Sequence, residues 1–91
     1  MKEKHLKITD EAGLHARPAS KISKSASEQQ GDIKLTYEGK TIDLKSILAV
    51  MSLAVPQGGE VTLSVDGGDE EATMQKLMDA FKEQGIDVEE Q

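Results

Sequence analysis

His15 and Arg17 stand two residues apart in Gly13-Leu14-His15-Ala16-Arg17-Pro18-Ala19, and their setting suits phosphoryl chemistry. The stretch reads as the opening of a helix. There the first backbone N–H groups lack intrahelical partners and the helix dipole is positive, which makes a ready anion site. The same field disfavours a second positive charge and so favours a neutral imidazole with a free lone pair. Arg17 adds a cation for phosphoryl oxygens. Pro18 fits a first helical turn, where no N–H donor is needed. Taken singly, the histidine reads as a loop residue and the arginine as a solvated charge; their spacing between Gly13 and Pro18 joins them.

A second candidate is Ser46, which precedes the apolar run Ile47-Leu48-Ala49-Val50-Met51-Ser52-Leu53. On pattern alone it is a helix N-cap. So short a helix cannot bury its whole circumference. Val50, Leu53 and Ala54 are the expected core residues, and Ile47, Leu48 and Met51 an exposed apolar side. Lys21 and Lys24 on the preceding helix offer positive potential near His15. His5 alternates onto the polar side of a strand and has no partner for a metal site. No metal and no cofactor are expected, since no Gly-x-x-x-x-Gly-Lys loop holds a nucleotide.

The elements that must position these residues follow from periodicity. Leu6 and Ile8, then Ile33, Leu35 and Tyr37, then Ile42 and Leu44, then Val61, Leu63 and Val65 alternate as four half-buried strands. Asp10 to Leu14 is a loop jointed at Gly13. A helix starts at about Ala16 and packs Ala19, Ile22 and Ala26. Glu38-Gly39 is a hairpin turn, and Pro56-Gln57-Gly58-Gly59 ends the Ser46 helix. Gly67-Gly68 turns the chain, Asp69 caps the last helix, and Glu70 and Glu71 suit its first turn. Met74, Leu77, Met78 and Phe81 are its core stripe. Gly85 terminates it, and the acidic Ile86–Gln91 is expected to fray. The order is βαββαβα, with helices on one sheet face and water on the other.

The chain has 91 residues, a net charge of -6, no cysteine and only two aromatic residues, Tyr37 and Phe81. It is expected to form one small domain, residues 1–91. The charge and the missing stacking platform argue against nucleic acid. Disulfides and thiolate metal sites are excluded. No signal peptide or membrane span is read in the sequence, so no membrane insertion and a cytoplasmic location are expected.

Two motifs, Gly13-Leu14-His15-Ala16-Arg17-Pro18-Ala19 and Leu44-Lys45-Ser46-Ile47 leading into Met51-Ser52-Leu53, resemble those of the HPr family. These are the histidine-containing phosphocarriers of the bacterial phosphoenolpyruvate-dependent sugar phosphotransferase system (PTS). The element order agrees from end to end. Leu48, Ala49, Ser20 and the Pro56–Gly59 loop depart from the usual pattern but leave His15 and Arg17 intact. The resemblance implies an α+β open-faced β-sandwich, its four-stranded antiparallel sheet ordered 1-4-2-3 and covered on one face by three helices. It implies that His15 accepts a phosphoryl group on Nδ1 from enzyme I and passes it to sugar-specific IIA domains. Arg17 stabilises the phosphate, and Ser46 is a regulatory phosphorylation site. In the regulated subgroup a serine kinase/phosphorylase and a catabolite-control transcription factor are further partners. The expected partner-binding residues are Ala16, Ser20, Lys24, Ile47, Leu48 and Met51. A monomer that is no enzyme by itself is expected. The competing readings are a regulatory module acting through Ser46 and a nitrogen-type phosphotransferase paralogue.

Overall fold

Alternation decides the sheet. Leu6, Ile8, Ile33, Leu35, Val61, Leu63 and Val65 are buried, while the residues between them face outward. A computed structural model describes residues 1–14, 16–86 and 88–91; the side chains of Ala16, Arg17 and Pro18 also lie outside the description. The strands are β1 (Lys2–Ile8), β2 (Asp32–Tyr37), β3 (Lys40–Asp43), β4 (Glu60–Asp66) and β5 (Val88–Glu90). They form one antiparallel sheet in the order β3-β2-β4-β1-β5. Its register sets Leu6 beside Val61 and Leu35 beside Leu63, so the apolar rows coincide across the strands.

Helices α1 (Ala16–Ser27), α2 (Ile47–Leu53) and α3 (Glu70–Glu83) supply the other layer. Ala19, Ile22 and Ala26 are the buried stripe of α1, and Met74, Leu77, Ala80 and Phe81 that of α3. Met78 packs at the margin of the core and is only partly buried. Asp69 caps α3 by accepting the Ala72 amide at 3.1 Å, as its position before Glu70 and Glu71 predicts. Leu44, expected in β3, lies just past the strand end and is fully buried.

The opposite face is polar and open to water. Thr41, Thr36, Thr62 and His5 stand side by side across four strands. The Thr36 and Thr41 hydroxyls are 2.8 Å apart, and His5 Nδ1 lies 3.0 Å from the Thr62 hydroxyl.

The first four strands keep the expected 1-4-2-3 order, and the fifth is an addition. Where fraying is expected, residues 88–90 of the acidic terminus pair as a strand with β1. After α3 the chain turns at Gly85 (φ 72°), whose amide donates to Lys82, while the Ile86 amide donates to Phe81. This is a Schellman closure, and it needs a residue that tolerates positive φ. Ile86 is 3% exposed and anchors the segment in the core. The chain then finds the open edge of β1, whose backbone groups need partners. The Gln91 amide donates to the His5 carbonyl at 2.8 Å, and the Lys4 ammonium meets the Glu90 carboxylate at 2.5 Å.

Candidate functional site

The loop after β1 closes on itself before it reaches the first motif. Asp10 accepts the Ala12 amide with its side chain at 3.1 Å and the Gly13 amide with its carbonyl at 2.9 Å. The next amide, Leu14, donates to the Val55 carbonyl at 2.8 Å, and the Leu14 side chain is buried. Helix α1 begins at Ala16. His15 and the side chains of Arg17 and Ala16 lie outside the described residues.

The electrostatics of the helix entry are legible from α1 itself. Its first turn contains no acidic residue. That of α3, by contrast, carries Glu70 and Glu71 behind the Asp69 cap. The dipole field at the start of α3 is thus offset by its own carboxylates, and that of α1 is not offset within its first turn.

Further along α1, Ser20 is half-buried and Lys24 is exposed. Both border an open groove between α1 and α2, with Lys45 and Ile47 on its far side. The Lys45 ammonium donates to the Gly31 carbonyl at 2.8 Å. The fold therefore brings the sequence-predicted Ser20, Lys24 and Ile47 to one surface.

Ser46 is the N-cap of α2. Its hydroxyl accepts the Ala49 amide at 3.3 Å, and its own backbone is extended. Ile47, Leu48 and Met51 are 44%, 81% and 45% exposed, whereas Val50 and Leu53 are buried. This matches the expected division of the short helix, with one correction. Ala54 is exposed, not core; it takes the left-handed C-cap position (φ 48°), which turns Val55 inward in its place.

No local pattern in the sequence marks Val55 as the partner of the Leu14 amide. The unusual Pro56-Gln57-Gly58-Gly59 run was the only signal. One carboxyl and one phenol elsewhere are perturbed. The Gly67 amide and then the Met1 ammonium hold Glu70 below the ordinary glutamate range. Desolvation and then the adjacent Glu38 push Tyr37 up. Among the described residues, no cluster of three His, Cys, Asp or Glu side chains could hold a metal ion. No helix among them is long and apolar enough to cross a membrane.

A family model described as "PTS HPr component phosphorylation site" matches residues 2–83. The chain belongs to the PTS HPr family. Solved structures agree with this membership. The histidine-containing phosphocarrier protein of a mycoplasma is 35% identical, with a TM-score of 0.89 over 93% of this chain and 97% of that one. An HPr from Thermoanaerobacter tengcongensis is 39% identical, with a TM-score of 0.83 over 92% and 94%. Crh, a Bacillus subtilis catabolite-repression protein described as a domain-swapped, intertwined dimer, is 39% identical, with a TM-score of 0.69 over 85% and 88%. The fold is the HPr open-faced sandwich, here with β5 added at the β1 edge. HPr proteins are phosphocarriers of the PTS, and partner proteins of that system are implied by membership.

Proposed function

We propose that this HPr-family chain, acting as one monomeric domain over residues 1–91 in the cytoplasm, carries a phosphoryl group on His15 from enzyme I to sugar-specific IIA domains. The observation that carries this reading is the His15/Arg17 motif at the entry to α1, whose first turn holds no carboxylate to oppose an arriving anion. Neutral imidazole Nδ1 attacks the phosphorus of phospho-enzyme I. The new N–P bond forms as the donor's bond to phosphorus breaks, and transfer to a IIA domain reverses the roles. Arg17 and the first amides of α1, which a helix leaves without intrahelical partners, offset the charge on the phosphoryl oxygens. The proposed docking residues are Ser20 and Lys24 of α1 and Ile47, Leu48 and Met51 of α2, together with Ala16 of the motif.

Ser46 is the proposed second phosphorylation site. A phosphate there adds about -1.5 to -2 charges at neutral pH, and a helix N-terminus accepts that charge without unfolding. It repels an acidic partner and attracts a basic one from the same exposed helix. A serine kinase/phosphorylase and a catabolite-control transcription factor are the corresponding partners.

The deciding experiment labels the protein with radioactive phosphoenolpyruvate and enzyme I and assays acid-labile phosphate. Wild type is expected to take label and His15→Ala to take none. Equal labelling of the two ends the proposal. The alternative is a regulatory module acting through Ser46 alone; the likeness to Crh, a catabolite-repression protein, supports it, whereas intact His15 and Arg17 favour the carrier. A wild-type chain that takes no label from enzyme I but is phosphorylated on Ser46 by a serine kinase selects the regulatory module.

A further inference from the structure

We infer that residues 54–58 form a strut that sets the loop leading into residue 15, with Gly13, Leu14 and Val55 as positioning residues for phosphoryl transfer. The inference rests on the carrier reading above and adds to it a second segment, forty residues away in sequence.

Three observations converge. Ala54 holds a left-handed backbone (φ 48°, ψ 49°) although its side chain is exposed and needs no particular direction. Its neighbours Leu53 and Val55 are both buried. The turn between two anchored side chains is what keeps a non-glycine residue there. That turn delivers the Val55 carbonyl to the Leu14 amide at 2.8 Å.

Gly13 makes the approach possible. A Cβ on it would stand 2.3 Å from the Val55 oxygen, 2.8 Å from Pro56 Cα and 2.9 Å from the Pro56 carbonyl carbon. All three are backbone atoms, so no side-chain rotation relieves the contact. Its φ of 67° independently favours glycine.

The two loops are also tied at their other ends. The Gly58 amide donates to the Ile8 carbonyl at 2.7 Å, and the Ile8 amide to the Gly59 carbonyl at 2.8 Å. The Gln57 side chain donates to the Thr9 carbonyl at 3.3 Å. Residue 15 thus follows a backbone amide pinned to the strut and precedes the first residue of α1. Transfer depends on holding reacting atoms in line, and a displacement of about 1 Å can cost about a hundredfold. One backbone bond adjacent to the acceptor is placed to control that alignment.

The test compares wild type with Gly13→Ala and with a semisynthetic chain in which an ester replaces the 13–14 amide, deleting the Leu14 N–H and adding no bulk. Each is titrated as the acceptor from phospho-enzyme I, and thermal unfolding is followed in parallel. The expected result is a kcat lowered about tenfold or more with KM changed by less than about twofold. A mere loss of folded protein would be corrected by the measured folded fraction. A folded ester chain with wild-type kcat overturns the inference, even if Gly13→Ala fails to fold. So does a raised KM at unchanged kcat, which would make the loop part of the docking surface. Wild type that accepts no phosphoryl group at all overturns the carrier reading itself, and the inference with it.

Discussion

The Ser46 hydroxyl accepts the Ala49 amide at 3.3 Å, so the proposed regulatory residue is also the cap of the helix it would regulate. Its two roles are separable. Ser46→Ala removes the cap and is expected to cost about 0.5–1 kcal/mol, the lower part of the usual range because the bond is long and exposed. Ser46→Asp keeps a capping oxygen and should unfold near the wild-type midpoint. The same Ser46→Asp chain should accept phosphate from enzyme I more slowly, if charge at this site governs docking. Denaturant unfolding and transfer kinetics on the two variants check both statements.

Exposure divides the residues of α2 into two classes. Leu48, at 81% exposure, is expected to contribute little to stability: Leu48→Ala should stay within about 0.5 kcal/mol of wild type. Leu53→Ala, by contrast, opens space in the core and should cost about 2–5 kcal/mol. Transfer from enzyme I should show the opposite sensitivity, with Leu48→Ala raising KM. Urea unfolding alongside steady-state kinetics distinguishes the two.

Ala54 carries a backbone conformation that costs an L-residue about 1–2 kcal/mol. Glycine relieves that cost but loses about 0.5–1 kcal/mol through its freer unfolded chain. The Ala54→Gly variant should therefore gain about 0–1.5 kcal/mol net. A fall in the unfolding midpoint would show that Ala54 is not strained.

Glu70 accepts from the Gly67 amide at 2.8 Å and pairs with the Met1 ammonium at 3.2 Å. Both contacts favour its ionised form, so its folded pKa is lowered. The stabilisation it supplies is complete above the unfolded glutamate range. It is lost as pH falls to about 4 and on through the depressed folded value. Glu70→Gln should therefore lower the melting temperature at neutral pH, with the gap closing under acid conditions. A gap that stays constant from neutral pH to strong acid would rule out ionisation as its source.

Some of this architecture was plain in the residues and some was not. Strand alternation at Leu6/Ile8, Ile33/Leu35 and Val61/Leu63/Val65 was readable because one sheet face meets helices and the other meets water. Asp69 and Ser46 were readable as caps because capping is a local contact. β5 was not, since Val88-Glu89-Glu90 has one apolar residue and no period; the β1 edge and the Ile86 anchor supply what it lacks. Ala54 was misassigned for a related reason. Its helical spacing suggested core, but α2 ends one residue earlier and the chain leaves through a left-handed turn. Of the candidate site, the exposed side of α2 was foreseeable from its shortness. The Leu14–Val55 bond was not, because no local pattern relates residues so far apart.

The row of Thr41, Thr36, Thr62 and His5 lies on the side of the sheet turned away from all three helices. That back surface offers a handle. Lys34 is exposed there, between Asp43 and Ser64, and the chain has no cysteine of its own. A single thiol introduced by Lys34→Cys would accept a fluorophore or a solid-support tether at one defined point, leaving the helical side free to meet successive visitors while the protein is watched one molecule at a time.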